Sequence, residues 1–207
     1  TGRGSTIFST QTNAIVYGSN LWVAVGQGTN TIATSTDGTS WTGRGTTIFN
    51  TAGNGIAYNG SNLWVAVGQG TTNTIATSSD GITWTGRGKG TFSSVGYGIA
   101  YANSLWVAVG NNGGSGSTIA NSSNGTTWTG VSSIFGSSGF CIAFGNNLWV
   151  AFGFSGNTGT TLATSSDGNT WTGRGSTVFS SSGTGVAYGN GLWVAVGNYT
   201  GASGNTI

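Results

Sequence analysis

The stretch LWVAVG at residues 21–26 decides the fold, because the chain contains it five times with little change. The motif begins again at Leu63 and Leu105, returns as LWVAFG at Leu148, and recurs at Leu192, so the successive spacings are 42, 42, 43 and 44 residues. A period of about 40 to 45 residues is typical of repeat proteins and of propeller blades. The sequence therefore predicts five tandem units of similar structure.

Each repeat divides into four strand-like pieces separated by turn residues. In the second repeat the pieces are NGIAY (54–58), LWVAVG (63–68), TIATSS (74–79) and TWTGRG (83–88). Short β-branched and aromatic runs between Asn-Gly and Asp-Gly turns are typical of β-hairpins. We therefore predict that each repeat is a four-stranded antiparallel meander.

The second strand of each repeat carries apolar side chains on both of its faces. Side chains alternate along a strand, so Leu63, Val65 and Val67 point to one face while Trp64 and Ala66 point to the other. A sheet with two apolar faces needs a neighbour on each side. Sheets arranged around an axis meet this need, and we predict an all-β protein that is a five-bladed β-propeller of four-stranded antiparallel blades. A β-solenoid is the rival architecture.

The predicted propeller is a single domain over residues 1–207. Its blades cover about residues 12–45, 54–88, 97–132, 140–175, and 184–207 together with 1–4. The last blade is thus shared between the N- and C-termini, and it is incomplete, because about nine residues of the template ATSSDGNTW are missing from the join. Three explanations stay open: the natural polypeptide continues beyond Ile207, the fifth blade closes imperfectly, or another chain completes it. We favour the first.

Charged side chains are rare, with 5 Lys+Arg and 3 Asp+Glu among 207 residues, and the chain contains no His, Pro or Met but 41 Gly. An average soluble domain has about 25 % charged residues, so Ser, Thr, Asn and Gly must supply most of the polar surface. The formal net charge of +2 gives no basic footprint for nucleic acid. No apolar run approaches the length of about 20 residues that a spanning helix needs, so we expect no membrane insertion. Without an initial Met, we expect a processed or excised segment.

The turn between the third and fourth pieces carries a recurring motif. It runs over 35–41 (STDGTSW), 78–84 (SSDGITW) and 165–171 (SSDGNTW), and a fourth copy at 122–128 has Asn124 in place of Asp. The motif resembles the Asp-box of the BNR-repeat propellers, S-x-D-x-G-x-x-W, with the residue between Asp and Gly dropped. The resemblance implies a structural role in which the carboxylate or amide oxygen accepts turn N–H groups and the Trp packs between strands. The residues concerned are Asp37, Trp41, Asp80, Trp84, Asn124, Trp128, Asp167 and Trp171.

Sialidases are the best-known enzymes with this resemblance, and they use an arginine triad, a Tyr nucleophile assisted by Glu, and an Asp acid/base. This chain has no Glu, and its three Asp residues all lie in the boxes, so the paired carboxylates of glycoside hydrolysis are missing. With no His there is no Ser-His or Cys-His couple. The ligands for a metal site are also too few, since Cys141 is the one Cys. We expect no enzyme activity, no cofactor and no metal, and we assign Cys141 no function.

Four of the five basic residues repeat within the motif TGRG, as Arg3, Arg44, Arg87 and Arg174. One arginine in each blade could recognise sulfate or carboxylate groups of a glycan, because the guanidinium fork suits such anions. The alternative, which we favour, is that each arginine hydrogen-bonds loop carbonyls where one blade passes to the next. The third repeat lacks this arginine and has Val131 instead.

Ligand specificity is expected where the repeats differ from one another. The connection between second and third strands varies in length and sequence, and Phe154 and Tyr199 place aromatic rings in polar, glycine-rich loops. An exposed aromatic ring beside amides and hydroxyls is a common platform for sugars. The residues predicted to bind ligand are Phe154, Tyr199, Gln27, Gln69, Asn111, Asn112, Arg44, Arg87 and Arg174.

Two functions from different classes follow. The first is a multivalent glycan-binding or adhesion module in which weak sites combine through effective concentration. The second is a structural or decorating protein of a virus particle or another extracellular assembly, because runs such as VAVGQGTNTIATSTDGTSW (23–41) look like propeller repeats of large DNA viruses of algae and amoebae and of secreted bacterial proteins. Both functions predict that the protein is located outside the cell or on a virion surface. The expected partner is a glycan or another structural protein. Ice binding by a flat Thr array is a third possibility and would require the solenoid.

Overall fold

The structure is a computed structural model, and it describes residues 6–112 and 116–199. These residues form eighteen β-strands that pair antiparallel. The predicted all-β class is therefore confirmed. Across the described ranges, no helix is long and apolar enough to cross a membrane.

The strands follow the repeats of the sequence in order. Repeat 1 contains β1 (Gln11–Gly18), β2 (Leu21–Gln27), β3 (Ile32–Ser35) and β4 (Thr42–Gly43). Repeat 2 contains β5 (Ala52–Tyr58), β6 (Trp64–Gln69), β7 (Ile75–Ser78) and β8 (Thr85–Gly86). Repeat 3 contains β9 (Gly96–Ala102), β10 (Leu105–Gly110), β11 (Ile119–Ser122) and β12 (Thr129–Ser132). Repeat 4 contains β13 (Gly139–Gly145), β14 (Leu148–Gly153), β15 (Leu162–Ser165) and β16 (Thr172–Gly173). Repeat 5 contains β17 (Ser182–Gly189) and β18 (Leu192–Asn198).

Within a repeat, each strand pairs with the next one along the chain, which gives the predicted meander in repeats 1 to 4. The fourth strand is shorter than the sequence indicates, because β8 covers two residues where we predicted a strand over 83–88. Repeat 5 contributes the hairpin β17–β18. The prediction that residues 1–4 and 205–207 complete its sheet concerns positions outside the described residues.

The turn between first and second strands is a tight hairpin in four repeats. Both central residues have positive φ in these turns, with φ 45° at Ser19 and 58° at Asn20 as an example. Two successive positive φ values define the type I′ turn, whose twist matches that of paired strands. The Asn-rich turn sequences therefore fix the register in which, for example, Tyr17 faces Trp22.

The chain divides into two compact units. Unit 1 comprises residues 1–90 and 94–96 and holds repeats 1 and 2, while unit 2 comprises residues 91–93 and 97–207 and holds nearly all of repeats 3 to 5. Each unit has its own apolar clusters between neighbouring repeats.

Every repeat has two different apolar faces. The valine face carries the first, third and fifth residues of the hexapeptide, such as Leu21, Val23 and Val25. The tryptophan face carries the hexapeptide Trp with its cross-strand aromatic partner, as in Trp64 and Tyr58, whose ring centroids are 4.3 Å apart.

Within each unit, neighbouring repeats pack the valine face of the earlier repeat on the tryptophan face of the later one. In unit 1, Leu21, Val23 and Val25 share a buried cluster with Ile56 and Trp64. In unit 2, Val107 and Val109 of repeat 3 pack with Ile142 and Trp149 of repeat 4. The next junction has the same order, since Val150 and Phe152 pack with Val186 and Trp193. Burial of this apolar surface is the main stabilising term.

A phenylalanine from the connection before repeats 2, 4 and 5 belongs to the buried cluster at the junction with the preceding repeat. Phe49, Phe135 and Phe179 are fully or almost fully buried. A Cβ added to Gly68 would clash with the carbonyl oxygen of Ala52 and would lie 2.8 Å from Cγ of the Phe49 ring, so backbone and ring together leave no space for a side chain at the end of the hexapeptide. The same stacking occurs between Phe179 and Gly197.

Candidate functional site

The Asp-boxes have the same hydrogen bonds in all four copies. In the second box, Oδ1 of Asp80 accepts the backbone N–H groups of Ile82 at 2.8 Å and Thr83 at 2.7 Å. Ser78 donates its Oγ–H to the same carboxylate, and Trp84 donates its indole N–H to the carbonyl of Gly81 at 3.1 Å. In repeat 3 the amide oxygen of Asn124 accepts the equivalent backbone N–H groups. The carboxylate oxygen is thus occupied by its own turn.

These hydrogen bonds favour the charged carboxylate. The backbone N–H of Thr83, followed by that of Ile82, lowers the pKa of Asp80 from its ordinary 3.8 to about 2. The backbone N–H groups of Thr170 and Asn169 lower the pKa of Asp167 to about 2. The pKa of Asp37 is also lowered, chiefly by the backbone N–H of Ser40.

We expect the Asp-boxes to make the free energy of unfolding depend on pH at acidic pH. Because the folded-state pKa of Asp80 and Asp167 is about 2 and the ordinary value is 3.8, their contribution is complete above about pH 4 and is lost as the pH falls towards 2. Urea unfolding midpoints measured across this window should therefore decline for the wild type. The triple variant Asp37→Asn, Asp80→Asn, Asp167→Asn, which gives every box the amide found at Asn124, should show a nearly flat profile. An equal decline in both proteins would contradict this assignment.

The TGRG arginines bind a hydroxyl within their own repeat. Arg44 donates from Nε and Nη2 to Oγ1 of Thr34, at 3.0 and 2.6 Å. Arg87 makes the same pair of bonds to Thr77, and Arg174 donates from Nε to Thr164 at 2.9 Å. For these three arginines the expectation that the side chains bind loop carbonyls is therefore wrong, because the antiparallel register of third and fourth strands brings each one beside a threonine. Arg3 lies outside the described residues.

The structure explains why repeat 3 lacks the TGRG arginine. Here the threonine position is Asn121 and the arginine position is Val131, so both members of the pair change together. The amide of Asn121 instead donates to the carbonyl of Gly168 at 3.1 Å and to Oδ1 of Asn169 at 2.6 Å in the box of repeat 4. This joint change was the sequence signal that could have identified Thr34, Thr77 and Thr164.

In unit 1 the corresponding place between two repeats is open. A cavity of about 120 Å³ lies between the two repeats. It is lined by Ile32, Arg44, Gly45, Thr47, Ile48, Ile82 and Trp84. The two bonds to Thr34 use two of the five N–H groups of the Arg44 guanidinium. Among the described residues, the guanidinium has no acidic partner. This volume corresponds to a few water molecules, so it fits a carboxylate or sulfate group.

Four of the predicted ligand residues share one position in the repeats, directly after the hexapeptide. The backbone of Gln27 pairs with Ala52, that of Gln69 with Val95, that of Asn111 with Ser138 and that of Phe154 with Ser182. Each pair links the second strand of a repeat to the start of the next repeat. The structure therefore places these residues at repeat junctions rather than in free loops.

The predicted ligand residues also differ in exposure. Phe154 and Tyr199 both expose 39 % of their surface. Asn112 is buried, and its amide donates to the carbonyl of Gly116 at 3.2 Å. Arg44 and Trp84 line the same groove, whereas the sequence analysis treated Arg44 as a ligand residue and Trp84 as a structural one.

Cys141 lies on β13, and burial raises the pKa of its thiol to about 12. A thiol in this state is unreactive at neutral pH. Within the described ranges, no three His, Cys, Asp or Glu side chains come together to hold a metal ion.

No family model matches the chain, and no curated protein matches it. Among solved structures, the computationally designed Ika8 protein is similar over 89 % of this chain with a TM-score of 0.55 and 16 % identity. YCF48 from Cyanidioschyzon merolae, a β-propeller, is similar over 91 % with a TM-score of 0.52 and 15 % identity. The chain spans 55 % and 56 % of the length of these two structures. At this identity the likeness concerns the fold alone, which is β-propeller-like.

Proposed function

We propose that this chain is a non-enzymatic, extracellular or virion-surface binding module that recognises acidic glycans, with each of its five repeats serving as a blade. The observation that supports the proposal is the groove in unit 1, which is lined by both Arg44 and Trp84. An aromatic ring can stack on the C–H face of a sugar while the guanidinium binds a carboxylate or sulfate substituent.

The site is built to hold an anion rather than to transform one. The bonds from Arg44 to Thr34 fix the plane of the guanidinium and leave N–H groups for a ligand. The acidic residue of the box in repeat 2, Asp80, is engaged by its own turn. Recognition is therefore the function that this chemistry supports best, and the exposed side chains Phe154 and Tyr199 are proposed as further contacts for neutral parts of a glycan.

Binding is tested by presenting the chain to an array of sulfated, carboxylated and neutral glycans. We expect selective binding to acidic glycans, and we expect Arg44→Gln to weaken it about 10- to 100-fold, because hydrogen bonds to charged groups contribute about 1.5–3 kcal/mol. Lys89→Gln is the matched control, since it removes one positive charge outside the groove and should change affinity little.

Equal losses in Arg44→Gln and Lys89→Gln would show that only net charge matters, which contradicts the groove. Phe154→Ala and Tyr199→Ala should reduce retention of large glycans. An array without any signal would overturn the proposal. It would favour the second candidate, a structural or decorating module, which is supported by apolar sheet faces that remain exposed on repeats 1 and 5.

A further inference from the structure

The valine face of repeat 5 is exposed although it carries the same residues as the buried valine faces. Leu192, Val194 and Val196 expose 66 %, 53 % and 41 % of their surfaces. The equivalent residues Val23 and Val107 are fully buried at junctions inside units 1 and 2. Three adjacent exposed aliphatic side chains on one strand face form an apolar patch that is typical of an interaction surface.

The tryptophan face of repeat 1 is exposed in the same way. Ile15 and Tyr17 expose 51 % and 50 % of their surfaces, whereas the equivalent Ile56 is buried. This face borders a cavity of about 320 Å³ lined by Phe8, Ile15, Ala24 and Trp41 together with Ile7 and three Thr side chains. In repeat 2 the equivalent face is filled by Leu21 and Val23 of the preceding repeat.

One exposed face is a valine face and the other is a tryptophan face, and faces of these two kinds pack on each other inside the molecule. Each junction within a unit packs a valine face on the tryptophan face of the following repeat. The valine face of repeat 5 and the tryptophan face of repeat 1 are both exposed. None of the eight charged residues lies on β1, β2, β17 or β18, so no ionised group opposes contact between them.

We propose that the valine face of repeat 5 docks on the tryptophan face of repeat 1 of a second copy of this chain. The contact reproduces the internal repeat junction between two molecules, with Leu192, Val194 and Val196 entering the cavity beside Ile15 and Trp41. Because the two faces differ, the association is head to tail, and it gives a closed ring or an open fibre according to the rotation between copies. This inference goes beyond the glycan proposal and is independent of it.

Sedimentation of the 207-residue chain from micromolar to millimolar concentration tests the proposal. The wild type should reach at least twice the mass of one chain. Val194→Asp and Ile15→Asp should each remain monomeric, because a charge buried at the contact lacks a partner. An equimolar mixture of the two variants should form a dimer, because Val194→Asp retains an intact face on repeat 1 and Ile15→Asp retains an intact face on repeat 5.

Ile82→Asp is the matched control, since Ile82 is similarly exposed but lies on neither end face, and it should associate as the wild type does. If circular dichroism shows that Val194→Asp or Ile15→Asp has lost its β-structure, the experiment is repeated with Leu192→Asp and Tyr17→Asp. A wild type that stays monomeric overturns the proposal, as does association that survives both substitutions. Loss of association in Val194→Asp but not in Ile15→Asp, or a mixture that stays monomeric, would also overturn it.

Discussion

Replacing Trp64 by Ala is expected to cost about 3–5 kcal/mol of the free energy of unfolding, as large aromatic deletions in well-packed cores do. Trp64 exposes 1 % of its surface and shares a cluster with Leu21 and Val23 of the preceding repeat. Removing the indole leaves a cavity that β-sheets on both sides hold open. Urea unfolding followed by fluorescence of the remaining Trp residues measures the loss.

Trp22→Ala is the matched control, because Trp22 has the same position in repeat 1 but is only half buried. Its cost should be about 1–2 kcal/mol, in proportion to the apolar surface that it buries. Both variants should be measured at concentrations where the chain does not associate. Equal costs at the two positions would contradict the statement that the tryptophan face of repeat 2 is covered and that of repeat 1 is not.

Phe179→Ala is expected to cost a further large amount, about 3–5 kcal/mol. Phe179 is fully buried, and its ring lies 5.6 Å from that of Phe152 and stacks over Gly197. It therefore joins repeat 5 to repeat 4, and its loss should release the hairpin β17–β18 first. Hydrogen exchange of the β18 amides, compared with those of β14, would detect this local opening.

Val178→Ala changes the neighbouring residue, which exposes 38 % of its surface, and its cost should stay below about 1 kcal/mol because surface substitutions usually have small effects. If the two variants had similar stability, or if β14 exchanged as fast as β18 in Phe179→Ala, the phenylalanine would have no special role at the junction.

The strand order and the two apolar faces could be predicted from the sequence because both follow from local patterns. Alternation in the hexapeptide identifies which side chains share a face, and Asn-rich turns identify the hairpins. The length of the fourth strand could not be predicted, because the regular ladder ends at Gly43 although Arg44 and Gly45 still share backbone hydrogen bonds with Ile32 and Thr31. No local pattern in the sequence marks this change.

The candidate groove was less accessible to sequence reasoning. The bond from Arg44 to Thr34 joins residues ten positions apart and depends on the register Thr34↔Thr42. The position of Trp84 in the lining of the groove depends on how repeat 2 packs on repeat 1, and no local sequence pattern specifies this packing. Likewise, Leu21 and Leu192 have the same sequence context, yet one is buried and the other exposed, because exposure depends on whether another repeat packs on that face, as repeat 2 does on Leu21.

The central claim is that the fold is held together by valine faces packed on tryptophan faces, and a double-mutant cycle between Val23 and Trp64 tests it most directly. Residues in contact show interaction energies of about 0.5–3 kcal/mol, whereas independent sites are additive to within about 0.3–0.5 kcal/mol. We predict a coupling of about 1 kcal/mol or more for Val23→Ala with Trp64→Ala. The cycle of Val23→Ala with Trp22→Ala, on opposite faces of β2, should be additive. Additivity in the first cycle would contradict the account.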